Sequence, residues 1–329
     1  MSSPARCWSA AVQSSPSVRL RRAREVPDMA TTDATLGFVG LGHMGGNMAA
    51  RLLAAGYTVY GETQSRESAK QLVGEGLEWC ETAGALSQAA DVVFTSLPDD
   101  DVIEGVAAGT DGLLAGLGPE KIWVDMSTIS PRVSRELAWQ ATERGATMLD
   151  APVSGSVPQV QSGTLTIMVG GDEQAYARVE PILRELGTPT LVGENGQGLA
   201  LKLAINISLA VQMLAFAEGL LLAKRSGVDP QRALDVMEAS PIGSPMLHAR
   251  APLILDPPTD DAWFDLAFMH KDIKLALDAA RSLEIPLPTA ERAEQILGRA
   301  SELGYDRRDL AVLFEVLEQI ADRGEAMAS

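Results

Sequence analysis

The sequence is poor in the residues from which metal sites and disulfide frameworks are built. It contains two cysteines and three histidines among 329 residues, and neither type falls at the spacing of a metal-binding motif. Cys7 and Cys80 lie far apart and form no CxxC pair. A disulfide-stapled scaffold is therefore excluded, no metal site is predicted, and the cysteine usage fits a reduced, cytoplasmic setting.

Basic residues are also scarce relative to acidic ones. The chain has 27 Lys and Arg against 44 Asp and Glu, which gives a formal net charge of −17. Because nucleic acids and anionic membrane surfaces attract positive charge, we predict neither as a partner. With 46% hydrophobic and 22% charged residues, the composition is that of a globular protein long enough for two domains.

Residues 1–35 differ from the rest of the chain. Arginines such as Arg6 and Arg19 stand among serines, alanines and prolines, but the apolar core of a secretory signal is missing. Two interpretations remain open: a transit-like segment, or translation that begins at Met29. Both predict that residues 1–35 are disordered.

A glycine-rich stretch, LGFVGLGHMGGNM at residues 36–48, organises the chain that follows. Gly40, Gly42 and Gly45 have the GxGxxG spacing of a dinucleotide-binding turn between a strand and a helix. The first glycine permits the tight turn, the second lets the backbone approach a pyrophosphate, and the third lets helix and strand pack closely. The pattern predicts a helix over 44–55 that presents its free N–H groups to phosphates.

Strand and helix patterns alternate as far as residue 193, after which the patterns are helical throughout. This order predicts an α/β fold with a doubly wound, mostly parallel sheet, followed by an all-α domain. We place the domains at 36–197 and 198–329. The run 199–225 is long and apolar enough to suggest a membrane span, but polar residues within it favour a core helix shared between domains or subunits.

Two of those polar residues, Lys202 and Asn206, lie one helical turn apart and share a face. An ammonium group among leucines costs free energy unless it is paired or its pKa falls. Lys202 is therefore a candidate general acid/base, with a structural ion pair as the alternative. Asn206 would position a substrate or fix the lysine. By contrast, Lys271 and Asp272 are predicted to form a solvated pair at the start of a helix.

Small hydroxyl side chains follow two predicted strands. Ser127 and Thr128 come after one strand, and Ser154 and Gly155 come after another. Open α/β sheets bind ligands at the carboxyl ends of their strands, where such groups suit a carboxylate-bearing substrate. Turn and cap chemistry is the alternative for both loops.

These stretches together resemble the β-hydroxyacid dehydrogenase family, which includes 3-hydroxyisobutyrate dehydrogenase and relatives of 6-phosphogluconate dehydrogenase. The matching segments occur in the expected order from residue 36 onward: GFVGLGHMGGNMA, SLPDD, DMSTISP, DAPVSG, SGTLTIMVGG, GQGLALKLAIN and HKDIKLAL. The resemblance implies a Rossmann domain, an all-helical domain around the long helix, and a homodimer or homotetramer. It implies hydride transfer between NAD or NADP and a small β-hydroxy acid or semialdehyde.

The resemblance also assigns roles to individual residues. Lys202 would be the catalytic acid/base, and the substrate contacts would be Ser127, Ser154, Gly155 and Asn206. The cofactor contacts would be Gly40, Leu41, Gly42, His43, Met44, Gly45, Leu97, Pro98, Val102, Thr128 and Lys271.

The chain departs from the family pattern after DAPVS, where GSVPQV at 155–160 replaces a glycine-rich GGxxGA. The wall of the substrate pocket should therefore differ, which keeps open the reduction of imines or bulkier carbonyls. Lys202 favours a hydroxy acid, because the similar imine reductases generally carry another residue there. A non-catalytic dinucleotide sensor is a third interpretation, although a sensor has no need of a buried base.

A second departure concerns the cofactor. After the second strand, where the family has an Asp for NAD or an Asn-Arg-Thr-like run for NADP, this chain has Thr63, Gln64 and Ser65, followed by Arg66. No carboxylate stands there to repel a 2′-phosphate, and Ser65 and Arg66 are able to bind one. The pattern favours NADP over NAD.

Overall fold

The computed structural model describes residues 34–258 and 262–323. The predicted disorder of residues 1–35 therefore lies almost entirely outside the described residues. The first half of the described chain forms a nine-stranded sheet. Its strands are β1 Leu36–Val39, β2 Val59–Glu62, β3 Glu78–Trp79, β4 Val92–Thr95, β5 Ile122–Asp125, β6 Thr147–Asp150, β7 Val153–Ser154, β8 Leu165–Gly170 and β9 Gly187–Gly193.

The strand order is β3-β2-β1-β4-β5-β6-β8-β7, with β9 paired to β8. Strands β1 to β6 are all parallel, whereas β8 runs antiparallel to β6 and β7. The chain reverses its direction of travel across the sheet between β1 and β4. This reversal creates the crevice in which open α/β sheets bind their ligands.

Helices cover both faces of the sheet and bury one apolar cluster on each side. They are α1 His43–Ala54, α2 Lys70–Gly74, α3 Ala83–Ala89, α4 Asp100–Ala107, α5 Leu113–Gly116, α6 Pro131–Thr142, α7 Val157–Ser162 and α8 Glu173–Leu186. Strands β1, β4 and β5 are buried along their whole length and are apolar except for Thr95 and Asp125 at the ends of β4 and β5, as expected for parallel strands covered on two faces.

The second half is helical and has its own apolar cluster. It consists of α9 Gln197–Arg225, α10 Pro230–Ala239, α11 Pro245–Ile254, α12 Leu266–Ser282, α13 Pro288–Glu302, a 3₁₀ turn at Leu310–Val312 and α14 Leu313–Asp322. Helix α9 is about 43 Å long. It packs against β8 and β9 at its start and against α10, α12, α13 and α14 further along.

This architecture confirms the predicted α/β fold with a following helical part around one long helix. In helix α11, Pro245 occupies the first turn, where its missing N–H costs nothing, and Ser244 caps the helix by accepting from the N–H of Leu247 at 3.3 Å. Among the described residues one helix, α9, is long and apolar enough to cross a membrane, and 44% of its most apolar window is buried inside the chain.

Candidate active site

The turn between β1 and α1 has the shape that its three glycines predict. Gly40 adopts φ +88°, and a Cβ there would collide with the carbonyl oxygen of Ser96. A Cβ on Gly45 would collide with the carbonyl oxygen of Gly40, so this glycine lets α1 pack against the turn. A Cβ on Gly42 would meet nothing within 4 Å. The backbone at Gly42 therefore faces open space.

The N-terminus of α1 borders that open space and has free donors. Its N-cap is Gly42, which has no side chain to cap the helix, and its first turn contains no acidic residue. The first N–H groups of a helix bind anions when nothing else occupies them. The turn thus fits the pyrophosphate of a dinucleotide.

Several other predicted cofactor contacts lie in this turn or in the loop after β4. Leu41 is buried, Met44 is half-buried and His43 is exposed. The loop after β4 holds Leu97, whose side chain approaches Gly40, together with Pro98 and, in the first turn of α4, Val102. From the helical side, the N-cap residue of α12, Asp265, lies near His43: burial raises the pKa of Asp265, and the charge of His43 opposes this rise.

Ser127 lies at the end of β5 and is 3% exposed. Its hydroxyl donates to Asp125 at 2.6 Å and accepts from the N–H of Leu97 at 2.9 Å. Since Asp125 also accepts from Thr95 at 2.7 Å, this network ties the loops after β4 and β5 together. With its proton already donated, the Ser127 hydroxyl can offer a ligand only its remaining lone pair.

Lys202 and Asn206 lie on the buried side of α9, 8% and 1% exposed. The Asn206 amide donates to a carboxylate oxygen of Asp272 at 2.6 Å. Burial lowers the pKa of Lys202 to about 8, with a smaller lowering from the charge of Lys271 and an opposing rise from the charge of Asp272. A lysine with this pKa can both accept and donate a proton near neutral pH.

The solvated position predicted for Asp272 is wrong. This residue is 1% exposed, whereas the Lys271–Asp272 pair was predicted to be solvated. Helix α12 packs on α9, and Met269, Asp272, Ile273 and Ala276 form its buried side. The helical spacing of those apolar neighbours was a signal that could have found it.

Lys271 links the helical part to the sheet. Its ammonium group donates to the carbonyl oxygen of Thr128 and lies 3.1 Å from the second carboxylate oxygen of Asp272. That oxygen is buried without a hydrogen bond of acceptable geometry, so the contact is an ion pair only. Through Lys271 and Asp272, the loop after β5 is connected to Asn206 on α9.

The second predicted hydroxyl loop lies beside β8. Ser154 pairs with Thr166 across the β7–β8 ladder and is half-buried, whereas Gly155 is exposed at φ +130°. The residue after them, Ser156, donates its hydroxyl to the carbonyl oxygen of Trp263 at 2.8 Å. The segment that replaces the glycine-rich family pattern therefore starts α7 and contacts the chain before α12.

Ser65 and Arg66 are exposed in the turn that follows β2. The Ser65 hydroxyl lies 3.0 Å from that of Ser68. Glu62, the last residue of β2, is half-buried and lies near Cys80, and burial raises the pKa of Glu62. Within residues 34–258 and 262–323, no group of three or more His, Cys, Asp or Glu could hold a metal ion.

The turn at Gly42 is open to a pyrophosphate, and the buried Lys202, with its lowered pKa, lies where the sheet meets the helical part. Together these two features define a dinucleotide-dependent oxidoreductase. The families that this chain matches agree with this class of enzyme. Residues 35–196 match the NAD-binding domain of 6-phosphogluconate dehydrogenase. Residues 196–317 match the NAD-binding region of NADP-dependent 3-hydroxyisobutyrate dehydrogenase.

Individual proteins match over nearly their whole length. The chain is 36% identical to 2-hydroxy-3-oxopropionate reductase of Escherichia coli K12, over 87% of this chain and 98% of that protein. It is 34% identical to 2-(hydroxymethyl)glutarate dehydrogenase of Eubacterium barkeri, over 87% and 95%. The solved 3-hydroxyisobutyrate dehydrogenase of Mycobacterium tuberculosis with L-serine superposes with a TM-score of 0.77 at 32% identity, over 86% and 99%.

The chain belongs to the β-hydroxyacid dehydrogenase family. It is an NAD(P)-dependent oxidoreductase.

Proposed function

We propose that this protein interconverts a small β-hydroxy acid and its semialdehyde, with Lys202 as the general acid/base and NADP as the preferred cofactor. The observation that carries the proposal is the environment of Lys202. Its ammonium group is buried, its pKa is lowered to about 8, and it shares a face of α9 with Asn206, which is fixed by Asp272.

The names of the relatives support the substrate class. In 2-hydroxy-3-oxopropionate and 2-(hydroxymethyl)glutarate, the reacting oxygen is on the carbon β to a carboxylate. The half-buried Ser154 hydroxyl and the exposed backbone of Gly155 are suited to such a carboxylate, because hydroxyl and N–H groups donate to it.

The residues of this chain then handle the proton. When bound, the nicotinamide accepts or supplies a hydride at the carbinol carbon. In oxidation the neutral Lys202 takes the hydroxyl proton, and in reduction its ammonium form returns that proton to the carbonyl oxygen. Asn206, oriented by Asp272, holds the reacting oxygen beside Lys202.

Lys202→Ala tests this role. We expect a loss of at least ~10²-fold in kcat, which is what a positioned acid/base contributes, while NADPH binding, measured by fluorescence, persists. Lys274→Ala, which removes an exposed lysine from α12, is the matched control. Turnover of hydroxy acids by Lys202→Ala above roughly a tenth of the wild-type value contradicts the proposal. A cyclic imine in the same substrate panel tests the imine-reductase alternative.

The cofactor preference rests on Ser65 and Arg66, which are exposed beyond β2 with no carboxylate at Thr63. A charge-assisted hydrogen bond contributes roughly 1.5–3 kcal/mol. Arg66→Ala should therefore lower kcat/KM for NADPH about tenfold or more and leave the value for NADH unchanged. Lys70→Ala removes a nearby exposed cation that is paired with Glu67 and serves as the control. An equal loss with both cofactors contradicts the preference.

We also propose that the protein is a cytoplasmic homodimer or homotetramer. In support, α9 has apolar side chains on its open side, with Leu201 42% and Leu222 70% exposed. Burial of such a stripe against a second copy would remove apolar area from water. Sedimentation velocity of the full chain tests this, and a monomer at micromolar concentration would contradict it.

A further inference from the structure

We propose that Asp150 is a positioning residue for the reaction. By accepting hydrogen bonds from the N-terminus of α9, its carboxylate fixes the helix that carries Lys202 against the end of β6. This inference rests on the proposed function, since Asp150 acts through Lys202.

Asp150 is completely buried and supplies what the start of α9 lacks. Its two carboxylate oxygens accept from the N–H groups of Gly196 at 2.7 Å and of Leu199 at 3.0 Å. The N-cap of α9 is Gly196, which offers no side chain, and no acidic residue stands in the first turn. The cap therefore comes from another element, the last residue of β6.

Two glycines make room for this contact. A Cβ on Gly198 would collide with the carbonyl oxygen of Met168 and lie 2.8 Å from one carboxylate oxygen of Asp150. A Cβ on Gly170 would lie 2.6 Å from the other carboxylate oxygen and 2.7 Å from the carbonyl oxygen of Glu194. Neither glycine has a left-handed backbone, so conformation does not require glycine at these positions. Close approach of the carboxylate and of the neighbouring carbonyl oxygens does require it, because a Cβ on Gly198 would push the start of α9 away from both.

The charge of Asp150 and the short distance along α9 to Lys202 connect this hydrogen-bonded contact to catalysis. Burial raises the pKa of Asp150 to about 6 and the two N–H donors oppose this rise, so at neutral pH both oxygens are acceptors. Leu199 is one turn before Lys202, and Asn206, bound to Asp272, is one turn after it. Lys202 thus lies between two anchors, and loss of the first frees the helix end that sets its position.

Asp150→Asn tests the inference, because an amide keeps the shape but replaces one acceptor with a donor. We expect kcat to fall roughly ten- to hundredfold, the effect of a misplacement of about 1 Å, with NADPH affinity and substrate KM within about twofold of wild type. The solvent deuterium isotope effect on kcat should rise, because proton transfer with Lys202 becomes slower.

Asp172→Asn is the matched control. Asp172 caps α8 by accepting from the N–H of Ala175 at 2.8 Å, and no proposed catalytic residue lies on α8. Its loss should lower the Tm without changing kcat. If Asp150→Asn does not fold, Gly198→Ala pushes the start of α9 away from Asp150 and from the carbonyl oxygen of Met168, and should produce the same selective loss of kcat.

The outcomes separate this inference from the proposed function. If Lys202→Ala abolishes turnover but the folded Asp150 or Gly198 variant keeps wild-type kcat, the positioning role is wrong and the proposed function stands. A variant that loses NADPH affinity in parallel with kcat also overturns the role, because Asp150 then supports the fold at large. If Lys202→Ala remains active, the proposed function itself fails.

Discussion

Replacing Asp272 should move the pH dependence of the reaction in a defined direction. In the proposed mechanism oxidation requires neutral Lys202, so kcat rises with pH through the pKa of this lysine. The carboxylate of Asp272 raises that pKa, whereas burial and the charge of Lys271 lower it. Asp272→Asn keeps the shape and an acceptor for Asn206 but removes the charge. The inflection in kcat should therefore fall below about 8.

The size of the effect follows from the ionisation of Lys202. With a pKa of about 8, about one tenth of Lys202 is neutral at pH 7. A fall of one pKa unit, equivalent to about 1.36 kcal/mol, would raise the neutral share at pH 7 to about half. The ratio of kcat for oxidation at pH 7 to kcat at the high-pH plateau would then be about fivefold higher in Asp272→Asn than in the wild type.

Lys271→Met should have the opposite effect, because removal of a neighbouring positive charge raises the pKa of Lys202. The assay is kcat for oxidation between pH 6 and 10 at saturating cofactor and substrate. Asp278→Asn removes an exposed charge from the same helix, where Asp278 pairs with Arg281, and should leave the inflection in place. The prediction is refuted if the inflection shifts in the same direction in Asp272→Asn and Lys271→Met, or if it shifts to higher pH in Asp272→Asn.

Two further predictions concern stability. The pKa of Lys202 is lowered on folding, so the unfolded chain binds its proton more tightly, and stability should increase as pH rises from about 8 towards 10.5. Lys202→Met should therefore raise the unfolding free energy at pH 7 by up to roughly 3 kcal/mol, and by less at pH 10. The assay is urea titration at both pH values, and equal gains in unfolding free energy at the two would argue against a buried charge. Gly45→Ala should lower the Tm and abolish NADPH binding, because the added Cβ collides with Gly40. In the control Gly105→Ala, the added Cβ meets nothing within 4 Å in α4, so NADPH binding should persist and the helix should be slightly stabilised. Intact NADPH binding by Gly45→Ala would contradict the close-packing role.

The sequence predicted those parts of the fold that depend on local patterns. Strands β1, β4 and β5 are short, mostly apolar runs. The glycine spacing at 40, 42 and 45 specifies a turn whose geometry follows from sterics alone. Lys202 and Asn206 were found because their spacing of four residues places them on one helix face whatever surrounds the helix. Such features need no knowledge of tertiary contacts.

Features that depend on distant contacts were not predicted. Asp272 looked solvated beside Lys271, and its burial is decided by the packing of α12 on α9. Asp150 caps α9 through N–H groups that lie 46 and 49 positions further along the chain, and no sequence pattern near Gly196 predicts this contact. Ser127 was assigned to the substrate by resemblance, but its hydrogen bonds to Asp125 and Leu97 are visible only when neighbouring strands are placed side by side.

The division of the site between the two halves explains why the tertiary contacts matter so much. In the proposed mechanism the sheet provides the open turn at Gly42 and the hydroxyl of Ser154, whereas the helical half provides Lys202. Proton and hydride transfer must occur on neighbouring atoms of one substrate, so the halves have to be held in register, and Asp150 and Lys271 each cross between them. At neutral pH most of Lys202 is in the ammonium form, because its pKa is about 8. The resting site is therefore prepared to donate a proton, which is what reduction of a semialdehyde requires, and oxidation must first remove that proton.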